Sequence, residues 1–539
     1  MKVCPVCKRT YADATLNFCR IDGASLNVSS SALQDQTGST NSPTSQDLTP
    51  TRVLPTDAAA GSAASLAPQV SQSRKRTVRK AIDSLAVMPL VNESKDPNME
   101  YLGDGITESI INSLSQLHQL RVMARSTVFR YKDRGVDPQE VGNHLGVRAV
   151  LTGRVLNVSD HLIIKVELVH VSDGSQLWGE QYNRSLTDIF TVEEEISKEI
   201  SEKLRLRLSD EQKKKLSKRH TDNTEAYQLY LKGRYYWNKR TDSDLKKSIL
   251  FFEQAIAKDP TYALAHVGLA DSFNILGYYG YLSPREGFSK AKVAAVRALE
   301  IDEALAEGHN SLAFVRLLYD WDWQDAERQF KRALKLNPGY ATAHHWYAEH
   351  LAAMDRPDEA LAQMKRALEL DPLSLIINTL AGWVYYRARN YDQAITELQR
   401  TLEMDANFVP AHLFLGWSYE QKGLYKEAIS EFESARQFSE SGTIALAGLG
   451  HVYASSGQTS KARKVLSELK ELSKTSFVSP YDIALIYVAL GDRDKAFEWL
   501  DKAYESRSEM LVWSKIDPML DPIRTDPRFV DLLQRVGLP

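Results

Sequence analysis

Residues 381–398, AGWVYYRARNYDQAITEL, and residues 415–432, LGWSYEQKGLYKEAISEF, are near copies of one pattern set 34 positions apart. The same spacing continues on both sides. Ala326, Ala360, Ala394, Ala428, Ala462 and Ala496 follow one another at intervals of 34. Around each alanine the other positions alternate in size. Gly382, Gly416 and Gly450 recur where two helices must approach closely, Tyr385, Tyr419, Tyr453 and Tyr487 recur three residues later, and Phe330, Met364, Leu398, Phe432, Leu466 and Leu500 supply bulk opposite them. Pro338 and Pro372 stand where a helix must stop, since proline cannot continue one. A fixed period of this length predicts stacked helical hairpins that bury a continuous core only by packing on their neighbours.

The pattern resembles the tetratricopeptide repeat and predicts an all-α superhelical solenoid over residues 222–539. Earlier units fit less closely: LYLKGRYYW with FFEQAIAKDP, AHVGLADSF with AVRALEID, and a helix with one extra residue before Ala326. We count eight repeats, and the tail MLVWSKIDPMLDPIRTDPRF (510–529) is expected to cap the last apolar face. The second unit carries an expanded loop with Tyr278, Tyr279 and Tyr281. The resemblance implies a concave groove lined by the first helix of each unit, showing His345, Glu349, Trp383, Tyr386, Leu413, Trp417 and His451. Such an aromatic stripe suits a partner protein or peptide anchored by a few large side chains; the competing reading is that the rings fill the space between helices. The Lys and Asn with which some co-chaperones of this kind clamp a terminal carboxylate are absent, because the aligned pairs are Asn310/Phe314 and Thr379/Trp383.

Residues 82–210 change to strands alternating with helices. SLAVMPLVN reads as a strand, and LGDGITESIINSLSQL reads as a helix with Asp104 as its N-cap and Ile106, Ile110, Ile111, Leu114 and Leu117 on one face. LRVMARSTVFRYK reads as a second strand and DPQEVGNHLG as a helix, followed by three strands and the amphipathic helix DIFTVEEEISKEISEKLRLRL. These stretches, with LGVRAVLTGRV and LWGEQYNRSL, resemble the TolB amino-terminal or FlgO-like domain of bacterial regulators. That resemblance implies a non-catalytic α/β module, found in its relatives beside cyclase, DNA-binding or kinase domains.

The amino-terminal stretch MKVCPVCKRTYADATLNFCRIDGASL holds Cys4, Cys7 and Cys19, all the cysteines of the chain. Their clustering excludes a disulfide scaffold and suits a thiolate metal site in a reducing compartment. Asp22 stands where a fourth thiolate would be, and a carboxylate is an accepted ligand, so Cys4, Cys7, Cys19 and Asp22 can enclose a structural Zn2+. A distant His such as His118, water, or a second chain could complete the site instead. The segment, residues 1–26, resembles bacterial zinc ribbons. Residues 27–81 are rich in Ser, Thr, Ala, Gln and Pro and predict a disordered linker holding the ribbon about 40 Å from the next domain. The linker ends in RKRTVRK (74–80), a basic run that could meet nucleic acid or lipid phosphates, against the simpler reading of a solvated junction.

The formal net charge is −3 and 43% of residues are hydrophobic, which gives no global bias toward nucleic acid or membrane. No apolar run approaches a membrane span, and a cytoplasmic location is expected. The histidines of HHWYAEH (344–350) fit neither zinc-protease spacing, and no Walker loop, nucleophile elbow or kinase motif is present. The expected architecture is multidomain: zinc ribbon, linker, α/β domain and solenoid. Its expected function is a non-enzymatic scaffold. The alternatives are a regulator whose ribbon and basic run bind nucleic acid, with nucleic acid the less favoured partner, and a regulatory subunit acting on a separate cyclase or kinase.

Overall fold

The computed structural model describes residues 82–539, apart from 95, 159–160, 207, 440–441 and 539, together with three two-residue strands near the amino terminus. Those strands, β1 (Lys2–Val3), β2 (Thr10–Tyr11) and β3 (Asn27–Val28), form an antiparallel sheet in the order β2-β1-β3. Strand β3 therefore falls on the first two residues assigned to the linker. Cys4, Cys7, Cys19, Asp22 and RKRTVRK lie outside the described residues.

The α/β domain is built on a mixed sheet. Strands β4 (Ser84–Val87) and β5 (Val91–Asn92) precede helix α1 (Glu100–Ser115), strand β6 (Arg121–Val122) and helices α2 (Arg125–Val128) and α3 (Pro138–Leu145). Then come β7 (Ala149–Val158), β8 (His161–His170), β9 (Gln176–Ser185), α4 (Ile189–Lys203) and α5 (Asp210–Leu216). The sheet order is β6-β4-β7-β8-β9, with β5 pairing β7; pairs β4/β6 and β4/β7 are parallel and the two long hairpins antiparallel. Strand β4 is buried along its whole length because helices cover both faces, whereas β8 alternates, burying Leu162, Ile164, Val166 and Leu168.

Two expectations in this domain are corrected. The stretch expected as a second strand is strand only at Arg121–Val122, and Arg125–Tyr131 is helical. Asp104 is no N-cap, because α1 begins at Glu100 and Gly103–Gly105 lies inside the helix. The two glycines answer a packing need instead. A Cβ at Gly103 would sit 2.6 Å from the Leu90 carbonyl oxygen, and one at Gly105 would sit 2.7 Å from Leu231 of the solenoid.

The solenoid contains eight helical hairpins. They are α6 (Thr224–Trp237) with α7 (Asp242–Lys258), α8 (Ala263–Tyr278) with α9 (Pro284–Ile301), α10 (Ala306–Val315) with α11 (Trp323–Leu336), and α12 (Ala341–Ala353) with α13 (Pro357–Leu370). There follow α14 (Leu375–Arg387) with α15 (Tyr391–Met404), α16 (Val409–Gln421) with α17 (Tyr425–Phe438), α18 (Thr443–Ser455) with α19 (Thr459–Leu472), and α20 (Pro480–Ala489) with α21 (Arg493–Glu505). The period governs the packing. Ala326, Ala360, Ala394, Ala428, Ala462 and Ala496 are all completely buried, and a Cβ at Gly382 would meet Leu398 at 2.6 Å. The extra residue of the third unit is absorbed in a π-helical turn, Arg316–Asp320, the usual way a helix accommodates one insertion.

His344 proves to be structural. Its Nε2 lies 3.0 Å from the Pro338 carbonyl oxygen and its Nδ1 lies 2.7 Å from Gln363. His309 and His412 repeat the arrangement with Glu303 and Ala406, and His266 repeats the carbonyl contact with Pro260. Each of these histidines pins the turn that enters its repeat.

The α/β domain is docked on the solenoid's edge. The Ala124 N–H donates to the Leu370 carbonyl oxygen (2.9 Å), Thr127 Oγ1 donates to Asp371 (2.8 Å), and Arg130 donates to the Met404 carbonyl oxygen (2.8 Å). Glu108 of α1, 6% exposed, binds Arg125 at 3.0 Å and accepts from Arg234 at 2.8 Å and from Asn238 at 3.1 Å. One hydrophobic core runs through both parts.

Candidate functional site

The concave face is where a solenoid of helical hairpins presents its first helices, and here the chain's own tail crosses it. After α21 the chain makes short 310 turns at Glu509–Trp513 and Pro518–Ile523 before α22 (Pro527–Val536). Apolar pattern drives this placement. Leu511, Val512 and Trp513 are buried, with Trp513 against Trp383 at a ring separation of 5.4 Å. Asp517 is fully buried, pairs with Arg387 at 2.8 Å, accepts from Tyr481 Oη at 2.8 Å, and caps its own turn through the Met519 N–H. Asp521 holds Arg389 through two hydrogen bonds. The Arg507 guanidinium lies 4.3 Å from the Trp321 ring centre, and Tyr504 packs on the same ring. The tail thus does more than cap the last repeat: it ties the eighth unit to the third and fifth.

This placement corrects the expected exposure of the groove residues. Trp383, Tyr386, His345, Glu349, Leu413 and His451 are all at most 9% exposed, and Trp417 is half-buried. Trp383, Leu413 and Trp417 line one cavity. His345 and Glu349 instead pair with each other at 3.2 Å, and Tyr278 donates to the same carboxylate. Tyr386 is packed between repeats against Leu398, Ala411 and Leu415. His451 binds Glu420 at 2.6 Å between α16 and α18. Burial opposes its protonation, but the Glu420 carboxylate outweighs that and raises its pKa. So the rings and charges of the stripe are shared between groove lining and helix packing.

What remains open is a cavity of about 390 Å³ walled by Trp383, Leu413, Phe414, Trp417, Met510 and Trp513. Two carboxylates, Asp482 of α20 and Glu509 of the tail, also line it. Glu509 is 5% exposed and its Oε2 has no hydrogen-bond partner among the described residues. Burial, with the Asp482 charge adding to it, pushes Glu509 up to about 8, and burial with the Asp517 charge pushes Asp482 up to about 7. Nothing in the sequence marked these two residues. Asp482 sits in an ordinary first-turn position, and Glu509 lies in a tail read only as a cap.

A pH effect follows. Both groups titrate near the ordinary carboxylate range of about 4 when unfolded, so between about pH 4 and 8 the folded chain holds more protons. Stability then falls as pH rises across that window, by about 1.4 kcal/mol per pH unit for each proton of difference. Urea midpoints measured from pH 6 to 8 are expected to decline, and to decline less steeply in Glu509→Gln.

Comparison with known proteins places the fold. Family profiles described as tetratricopeptide repeat match residues 317–383, 379–442 and 481–509. The chain carries tetratricopeptide repeats. Residues 80–199 match the family described as HilA/YgeH-like transcriptional regulator, second domain. A protein of Rhizobium meliloti (strain 1021) named "Putative adenylate cyclase 3" is 32% identical over 238 residues, 43% of this chain and 39% of that protein. The transcriptional regulator HilA of Salmonella typhimurium is 22% identical over 165 residues, 31% of this chain and 30% of the regulator. The chain therefore spans well under half the length of these relatives. Among solved structures, pilF of Pseudomonas aeruginosa is 21% identical with a TM-score of 0.29, covering 38% of this chain and 93% of its own. YrrB, a TPR protein with an unusual peptide-binding site, is 20% identical with a TM-score of 0.25, covering 36% and 95%. Among the described residues no helix is long and apolar enough to cross a membrane.

Proposed function

We propose that the chain is a non-enzymatic cytoplasmic scaffold whose tetratricopeptide repeats take a partner peptide on their concave face. The aromatic cavity beside Trp383 and Trp417 carries this reading, since such repeats recognise extended or helical segments through a few large anchors. The α/β domain, which resembles the TolB amino-terminal or FlgO-like module, braces the solenoid. The amino-terminal ribbon is a second recognition element: three thiolates and a carboxylate, Cys4, Cys7, Cys19 and Asp22, are a donor set suited to tetrahedral Zn2+, and metal binding would supply most of the folding free energy of so small a module.

A second reading has its own support. The match of residues 80–199 to a transcriptional-regulator domain favours a regulator in which the ribbon and RKRTVRK contact nucleic acid, and the cyclase-named relative favours action on a cyclase.

One preparation tests these readings. Purified chain is expected to hold about one zinc, and chelation is expected to leave the far-UV helical signal intact. Cross-linking to partner peptides is expected to be lost in Trp417→Ala. Binding to duplex DNA that weakens steeply with salt, together with unchanged cross-linking in Trp417→Ala, supports the second reading instead.

A further inference from the structure

We infer that the concave cavity is built to receive a cationic side chain, a lysine or arginine flanked by large apolar residues in a partner's chain. This deepens the scaffold reading and rests on it. Among the described residues the cavity is short of cations. Its walls carry two carboxylates, Asp482 and Glu509, and one cationic side chain, Arg240. Arg240 is already engaged, with its guanidinium 3.6 Å from the Trp237 ring centre. Glu509 is 95% buried, lines the cavity, and keeps one carboxylate oxygen without a partner among the described residues. A buried carboxylate in that state is costly unless it is protonated or paired. Three other buried carboxylates of the solenoid each face a basic side chain: Asp517 has Arg387, Glu420 has His451, and Glu349 has His345.

The rest of the lining fits the same ligand. Trp383, Phe414, Trp417 and Trp513 line the same cavity as the carboxylates, so an incoming ammonium or guanidinium enters a space with both aromatic rings and carboxylates, and its methylene stem meets apolar wall. The volume of about 390 Å³ holds one long side chain and its apolar neighbours rather than a folded domain. The acceptor that Glu509 offers becomes fully charged when the cation arrives, so ligand binding releases a proton from the site at neutral pH. The tail supplies Glu509, Met510 and Trp513 and is therefore part of the binding wall.

The experiment is peptide-display panning against the full chain, in parallel with the variant Asp482→Asn/Glu509→Gln, whose fold is checked by circular dichroism and melting. The expected result is enrichment of peptides with Lys or Arg beside large apolar residues. Their affinity for the variant should fall on the order of tenfold or more, while the Lys-to-norleucine version of an enriched peptide should bind both proteins alike. Calorimetry in buffers of different ionisation enthalpy is expected to show proton release with the wild-type chain and none with the variant. Enrichment of apolar peptides without a cation overturns this inference and leaves the scaffold reading standing. No enrichment on either protein overturns both. Hexylamine binding without peptide enrichment assigns the cavity to a small amine and overturns the peptide. If the double variant does not fold, Glu509→Gln alone is put through the same comparison, with the same outcomes deciding it.

Discussion

Asp517→Ala is expected to destabilise the chain by about 3 to 5 kcal/mol, the range for a buried pair that loses one partner. The substitution removes a carboxylate with no exposed surface and leaves Arg387, whose side chain is only 3% exposed, as an uncompensated buried cation. The Tyr481 hydroxyl and the Met519 N–H lose their acceptor at the same time. Replacing both members of the pair, Arg387→Met with Asp517→Leu, is expected to recover most of the loss, because buried ion pairs replaced by apolar residues of similar volume are often neutral or better. Urea unfolding of the three proteins measures this. Tryptophan emission should shift to the red in Asp517→Ala, since the tail carrying Trp513 is no longer held over Trp383. A loss under about 1 kcal/mol would show that the tail is not anchored there.

Glu108→Ala is expected to cost a similar amount, about 3 to 5 kcal/mol, at the junction between the α/β domain and the solenoid. Glu108 faces Arg125 from its own domain and Arg234 and Asn238 from α6. Burial pushes its pKa up, but Arg234 and Arg125 outweigh burial and hold it below the ordinary carboxylate range. Its contribution is therefore present above that range and is lost as pH falls through it. The same window should disappear in the variant. Limited proteolysis of the connector after Lys203 is the second measurement: cleavage is expected to accelerate in Glu108→Ala, and an unchanged rate would mean the docking does not depend on this carboxylate.

Periodic features were legible in the sequence, and features joined across long stretches of chain were not. Ala394 and Ala428 announce helix contacts because the requirement for a small side chain recurs at each turn of the stack. The extra residue before Ala326 announced a local irregularity, which is the π-helical turn at Arg316–Asp320. Trp383, Leu413 and Trp417 line one cavity, and the burial of Trp383 and Leu413 accords with the competing reading in which rings fill the space between helices. That of Trp383 depends on Trp513 and Asp517, whose partners Trp383 and Arg387 lie three repeats earlier and carry no local signal. Asp104 was misread for a related reason: an acidic residue between two glycines looks like a helix start. Here the glycines admit Leu90 and Leu231, and Asp104 pairs with Lys132 at 2.5 Å.

The contact between the eighth repeat and the third, through Tyr504, Arg507 and Trp321, changes how this array should unfold. An open array of repeats behaves as a one-dimensional chain of coupled units that can fray from either end. Joining the eighth unit to the third makes five inter-repeat junctions part of a closed circuit, so the last repeats cannot melt without breaking contacts in the middle. Fraying from the carboxyl terminus is suppressed, and deleting a terminal repeat removes a tie as well as a unit. The unfolding transition should accordingly be sharper than eight independent hairpins with nearest-neighbour coupling would allow.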